Sequence, residues 1–148
     1  MDTGNRVEVM HGVNLDQIGR RDPLHYGSLT LTQLELRISD AAQELGLQVR
    51  FFQTNHEGAF VEHLHRLNEL ADGVLLNPGA WTHYSYAIRD ALELADLPAV
   101  EIHLSDVDAR EPWRRESVIR DLCVGRITGQ GADGYREALE CLQTELKR

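Results

Sequence analysis

A three-layer α/β sandwich on a five-stranded parallel sheet is the fold the sequence predicts, and two observations carry that prediction. Short apolar runs alternate with helix-period segments along the whole chain, one pair to about every 25 to 30 residues. No linker, internal repeat or low-complexity tract interrupts the alternation, so residues 1–148 are expected to form a single domain, large enough to bury about two-thirds of its unfolded surface.

The elements follow in order. Val7 to Met10 reads as the first strand, and a polar stretch from Gly12 to Ser28 follows it without strong periodicity, long for a structureless connection and therefore a candidate functional loop. Thr32-Gln33-Leu34-Glu35 forms a capping box with Leu31 and Leu36 as its hydrophobic staple, although Thr30 serves equally as the cap, and Gly46 ends that helix. Val49 to Phe52 makes the second strand. Phe60, Val61, Leu64, Leu67 and Ala71 repeat at helical spacing until Asp72-Gly73, and Val74 to Leu76 is the third strand. Ala87, Ile88, Ala91, Leu92 and Ala95 form the next apolar face, closed by Leu97-Pro98 before a fourth strand, Ala99 to Ile102. Leu122 to Ile127 makes the fifth strand, and Tyr135, Ala138, Leu139, Leu142 and Leu146 line the last helix. With right-handed crossovers the economical arrangement is flavodoxin-like, order 2-1-3-4-5.

Charge narrows the function. Fifteen Lys plus Arg against 24 Asp plus Glu give a net charge of −9, which argues against coating nucleic acid or an anionic membrane. Lys147 is the single lysine, so imine chemistry, a phosphate-loop lysine and a lysine base are all disfavoured, and cationic work falls to fourteen arginines. The polar start, Met1 to Arg6, does not read as a signal peptide, so none is expected, and no apolar run approaches the ~20 residues of a membrane span. Cys123 and Cys141 share no short motif and read as reduced core residues, consistent with a cytoplasmic setting.

In such a sheet, ligands bind beyond the carboxyl ends of the strands, where strand order reverses. That rule selects His11, Gly12 and Asn14 after strand one, Asn77, Pro78, Gly79, Thr82 and His83 after strand three, and His103, Leu104 and Ser105 after strand four. A metal would have to be assembled across loops from His11, His83 and His103, since His63 and His65 are two apart and Cys-x-x-Cys is absent. Arg20, Arg21, Arg110, Arg114 and Arg115 also fall on these connections. Guanidinium grips carboxylates in a bidentate fashion and favours phenolate at a nearby tyrosine, here Tyr26, whose ordinary pKa is about 10. Glu101 and His103 share a strand face, so the carboxylate can hold one ring nitrogen and leave the other for proton transfer.

Four stretches then carry a resemblance. They are His11-Gly-Val-Asn14-Leu-Asp-Gln-Ile-Gly19-Arg-Arg21-Asp-Pro23-Leu-His-Tyr26-Gly27, then Asn55-His-Glu57-Gly58, then Asn77-Pro-Gly79-Ala-Trp-Thr82-His83-Tyr-Ser85, then Glu101-Ile-His103-Leu-Ser105-Asp-Val-Asp-Ala-Arg110-Glu111. In order and spacing they closely resemble the type II 3-dehydroquinate dehydratases over nearly the whole chain. The resemblance implies a flavodoxin-like enzyme without metal or organic cofactor that eliminates water from 3-dehydroquinate through an enolate, in the shikimate pathway or in quinate breakdown. It makes Tyr26 the base, held as phenolate by Arg21 with Arg110 adding positive field, and His103, oriented by Glu101, the acid. Asn14 positions the water on the enolate oxygen. Asn77, His83 and Arg114 take ring hydroxyls, while Leu104 and Ser105 take the carboxylate. Asp90 reaches a neighbouring subunit's substrate in a homododecamer, and Glu57 is a supporting acid.

Departures from the family pattern are His11 and Val13 in the first motif, Asp106 and Asp108 after the strand-four serine, the charged segment Glu116 to Asp121, and Arg126 in a strand expected to be apolar. His11 and Val13 suggest one alternative, a paralogous dehydratase or isomerase of a related cyclic polyol acid; a second alternative, of another class, is a non-catalytic flavodoxin-like module that binds a small carboxylate.

Overall fold

The computed structural model describes residues 4–26 and 28–148; residues 1–3, within the polar start, and Gly27, the last residue of the first motif, lie outside the described residues. Five parallel strands, β1 (Arg6–His11), β2 (Gln48–Gln53), β3 (Gly73–Asn77), β4 (Ala99–His103) and β5 (Gly125–Thr128), form one sheet in the order β2-β1-β3-β4-β5. This is the predicted order. Strand periodicity divides the core between the two faces. Val7, Val9, Leu75, Val100 and Ile102 pack under α2 (Leu31–Leu45) and α6 (Gly134–Leu146), and Met10, Val74, Leu76 and Ala99 pack under α3 (Glu57–His65) and α5 (Tyr86–Ala95).

Several local expectations change. The stretch after β1 is not structureless: a 3₁₀ turn at Leu15–Arg20 buries Leu15 and Ile18, and a single helical turn, α1 (Pro23–Tyr26), follows. Thr30, not Thr32, caps α2. Its hydroxyl accepts from the Gln33 amide at 3.2 Å and the Gln33 side chain accepts from the Thr30 amide at 2.9 Å, while Leu36 stands exposed instead of closing a staple. Gly46 closes the helix with φ 74°, a left-handed conformation open to glycine.

The expected helix from Phe60 to Ala71 breaks at Arg66 into α3 and a short α4 (Leu67–Leu70). Gly73 opens β3 instead of ending a helix, and a side chain there would press on Leu142 at 3.0 Å. Ala87 is exposed on α5, outside the apolar face of Ile88, Ala91, Leu92 and Ala95. β5 begins at Gly125, because Arg120–Leu122 is a 3₁₀ turn. Both cysteines are unpaired and only partly buried.

Removing the Thr30 hydroxyl leaves a helix amide without its acceptor. Thr30→Ala is expected to lower the unfolding free energy by about 0.5–2 kcal/mol, read as a drop in urea midpoint at unchanged slope.

Candidate active site

The parallel register aligns the strand ends that matter: His11 pairs with Asn77, Leu76 with Glu101, Glu101 with Arg126 and His103 with Thr128. Chain crossings at the β1–β3 boundary are close enough to require glycine. A Cβ on Gly12 would lie 2.4 Å from the Pro78 carbonyl oxygen, and Gly79, at φ 65°, would place one 2.7 Å from that of Val13. The Gly12 amide donates to the Asn77 carbonyl at 2.7 Å, and the Asn77 side-chain oxygen accepts from the Gly79 amide at 3.0 Å. These bonds hold the two loops as facing walls of a cleft.

Eleven of the residues selected from sequence line that cleft: Asn14, Arg21 and Tyr26 from the β1 connection, Asn77, Gly79 and His83 after β3, and His103, Leu104, Ser105, Arg110 and Arg114 after β4. Asn14 sits at φ 68° with its amide donating to the Asn55 side chain at 2.8 Å, which turns the start of the 3₁₀ segment toward the cleft. Val13 lines it as well. Arg110 Nη1 donates to Tyr26 Oη at 2.7 Å and to Ser105 Oγ at 3.2 Å, and the Arg21 guanidinium lies 4.0 Å above the Tyr26 ring. Guanidinium cannot accept, so the phenolic oxygen must be the acceptor and two positive groups flank it.

The His103 part of the cleft is built on a buried carboxylate. Glu101 is wholly buried, which by itself would raise its pKa; hydrogen bonds from His103, Thr82 and Ser117 overcome that cost and hold it down at about 2. Oε2 receives His103 Nε2 at 2.6 Å and Thr82 Oγ1 at 2.6 Å, and Oε1 receives Ser117 Oγ at 2.7 Å. Because an ionised carboxylate only accepts, His103 carries a hydrogen on Nε2 and its Nδ1 is the nitrogen left for proton transfer. His83 lies beside it, rings 6.5 Å apart, with Nδ1 donating to the Glu116 carbonyl at 2.6 Å. Burial first, then the neighbouring charges of His103 and Arg114, lower the His83 pKa below the ordinary histidine range. His83 therefore offers Nε2 as a neutral acceptor.

Some expectations fail. His11 is fully buried on the wrong face: the odd positions of β1 point toward α2, where its Nε2 lies 3.1 Å from Glu35 and its ring stacks on Phe51. That removes the only loop-assembled metal set, and among the described residues no cluster of His, Cys, Asp and Glu could hold a metal. Arg20 and Arg115 are exposed and do not line the cleft, and Glu57, expected as a supporting acid and not as a lining residue, opens α3 outside it. Asp90 is exposed on α5, away from this chain's own cleft. Arg126 is not misplaced in β5: it lies beside Glu101 and Asp108.

Three contributors were not assigned roles from sequence. Thr82 was selected by position but not as a donor to Glu101. Ser117 sits in a charged segment with no motif around it. Trp113 stacks under the Arg114 guanidinium at 4.1 Å and meets the His83 ring edge-on at 5.1 Å, giving both side chains a common wall. Thr82→Val keeps the volume but removes one donor from the buried carboxylate. It is expected to cost about 1–3 kcal/mol of stability by denaturant unfolding.

Comparisons with known proteins agree with this geometry. The model of the family described as dehydroquinase class II matches residues 5–143. The chain is 50% identical over 143 residues to a 3-dehydroquinate dehydratase of Syntrophotalea carbinolica, covering 96% of this chain and 97% of that one. It is 46% identical over 142 residues to the 3-dehydroquinate dehydratase of Thermotoga maritima, with the same coverage. The crystal structure of type II dehydroquinase from Propionibacterium acnes superposes with a TM-score of 0.88 at 38% identity, covering 95% of this chain and 97% of that one. By family model, relatives and fold alike, this chain belongs to the class II dehydroquinases.

Proposed function

We propose that the chain eliminates water from 3-dehydroquinate to give 3-dehydroshikimate, with Tyr26 as base and His103 as acid on opposite walls of the cleft. The observation that carries the reading is the Arg110–Tyr26 hydrogen bond with Arg21 over the ring, set across from a histidine whose far nitrogen is held by a buried carboxylate. Tyr26, as phenolate between two guanidinium groups, removes a proton alpha to the substrate ketone. The charge moves onto the carbonyl oxygen as an enolate, which Asn14 stabilises through a positioned water. Collapse of the enolate expels the hydroxyl, which takes a proton from Nδ1 of His103. The tyrosine proton leaves to solvent and His103 is reprotonated, so no redox step enters.

The rest of the cleft fits an anionic polyol. Ser105 Oγ already accepts from Arg110, so its own hydrogen is available to the substrate carboxylate, and the carbonyls of Leu104 and Ser105 are fixed by the amides of Gly131 and Gly129. His83, Asn77 and Arg114 receive ring hydroxyls. The related-polyol alternative loses one of its two supports, because His11 does not face the cleft; Val13 still does.

One catalytic domain per chain and a homo-oligomer complete the reading. Tyr86, Asp90 and Leu94 follow one another at helical spacing on the exposed side of α5, an apolar face with a carboxylate at its centre that suits delivery of Asp90 to a second copy. The two unpaired cysteines support a cytoplasmic setting, and among the described residues no helix is long and apolar enough to cross a membrane.

Tyr26→Phe and His103→Ala are each expected to cut kcat by about 10²-fold or more while calorimetry still detects substrate binding. Turnover is followed by the absorbing enone product, and it should survive both a chelator and borohydride, since no lysine imine forms. Full activity in Tyr26→Phe overturns the mechanism. Because His83 must be neutral to accept, KM is expected to stay flat through the ordinary histidine range and to rise only at lower pH, as His83 gains its proton.

A further inference from the structure

We infer that Arg126 is a positioning residue for the His103–Glu101 pair and that Asp108 holds it in place. Two departures from the family pattern thereby form one device. The inference rests on His103 being the acid.

Arg126 and Glu101 are register partners on adjacent strands, so their side chains leave the sheet on the same side. The guanidinium Nε lies 3.5 Å from Glu101 Oε1, and Nη1 lies 3.6 Å from Asp108 Oδ2. The side chain is only 14% exposed, and among the described residues Nε and Nη2 have no hydrogen-bond partner. Packing alone would place an apolar residue here, because burying a guanidinium costs several kcal/mol unless nearby charge offsets it. Its contribution is therefore charge placed against a carboxylate.

Position decides what that charge does. Glu101 Oε2 serves His103 and Thr82, and Oε1 serves Ser117 and Arg126. With Oε2 bonded to His103 and Thr82, and Oε1 bonded to Ser117 and beside the Arg126 charge, rotation of the carboxylate away from His103 is opposed, and the imidazole keeps Nδ1 free for the cleft. Asp108 belongs to a 3₁₀ turn, Val107–Ala109, that ends immediately before Arg110. The Asp108–Arg126 pair therefore also steadies the turn that presents Arg110 to Tyr26, so one guanidinium ties the acid wall to the base wall.

The test compares Arg126→Met, Arg126→Lys, Asp108→Asn and the Met/Asn double variant by steady-state kinetics on dehydroquinate, with thermal melting of each. Loss of orientation is expected to lower kcat in Arg126→Met by about 5- to 20-fold, a fraction of the 10²–10⁴ typical of a general acid, with KM within about twofold. Arg126→Lys is expected to recover to within about threefold of the parent. Asp108→Asn should fall about 2- to 5-fold, and the double variant no further than Arg126→Met, because both act through one contact. Unchanged kcat in Arg126→Met, multiplicative losses in the double variant, or losses that follow melting temperature with no rescue by lysine each overturn the proposal. Should Arg126→Met not fold, the exposed Asp108→Asn decides it: parent-level kcat there overturns the coupling. His103→Ala separates the two readings. If it abolishes turnover while the Arg126 variants are silent, the positioning role alone fails; if it retains turnover, the acid assignment beneath it fails.

Discussion

The buried ion on which this site depends is the carboxylate of Glu101. A wholly buried charge in the fourth strand is among the least favourable groups a sheet can carry, and it persists because three donors, two of them from other segments, converge on it. Thr82 comes from the turn after β3, Ser117 from the segment before β5, and His103 from its own strand. Each donor brings its segment with it. The hydroxyl of Thr82 fixes the turn that ends in His83, and Ser117 fixes the stretch whose Glu116 carbonyl holds the His83 ring, so the substrate-facing histidine is located by the same ion that orients the acid. Arg89 strengthens the arrangement from outside, donating to the Val118 carbonyl at 2.7 Å and gripping Asp121 with both terminal nitrogens.

The base wall is made differently. Its centre is a tyrosine on a short helical turn, between the guanidinium groups of Arg21 and the largely buried Arg110. Cation–π contact and one charge-assisted hydrogen bond contribute a few kcal/mol at most, less than the packing that secures β4. The contrast follows from covalent placement: His103 ends a central strand, whereas Tyr26 lies fifteen residues beyond the end of β1.

Much of this was legible in the sequence because the signals were local. Strand periodicity and the reversal rule located the sheet order and three of the loops, and the spacing Glu101-x-His103 placed both side chains on one face. His11 shows what a motif read without its strand can miss. It follows Val7 and Val9 at period two, so its direction toward α2 was already written in the alternation, and the loop motif concealed it. The cap at Thr30 was undecidable from propensity, since both threonines have an acceptor three residues on; Leu36 on the solvent face is what excludes the other. Ser117 and Arg126 were not legible, because their meaning lies in contacts across 16 to 25 residues of chain, between segments whose register no local pattern specifies.

The lone lysine closes the α6 helix as its C-terminal cap, beside Gly4, Asn5 and Leu47 at the amino ends of the strands. The cleft opens at the other end of the sheet. Amine-directed chemistry on this protein's side chains therefore has one target, on the far pole from the reacting groups. A dye, a surface linker or a crosslinker attached through Lys147 would sit at the end of each subunit opposite its cleft, leaving the reacting groups unmodified.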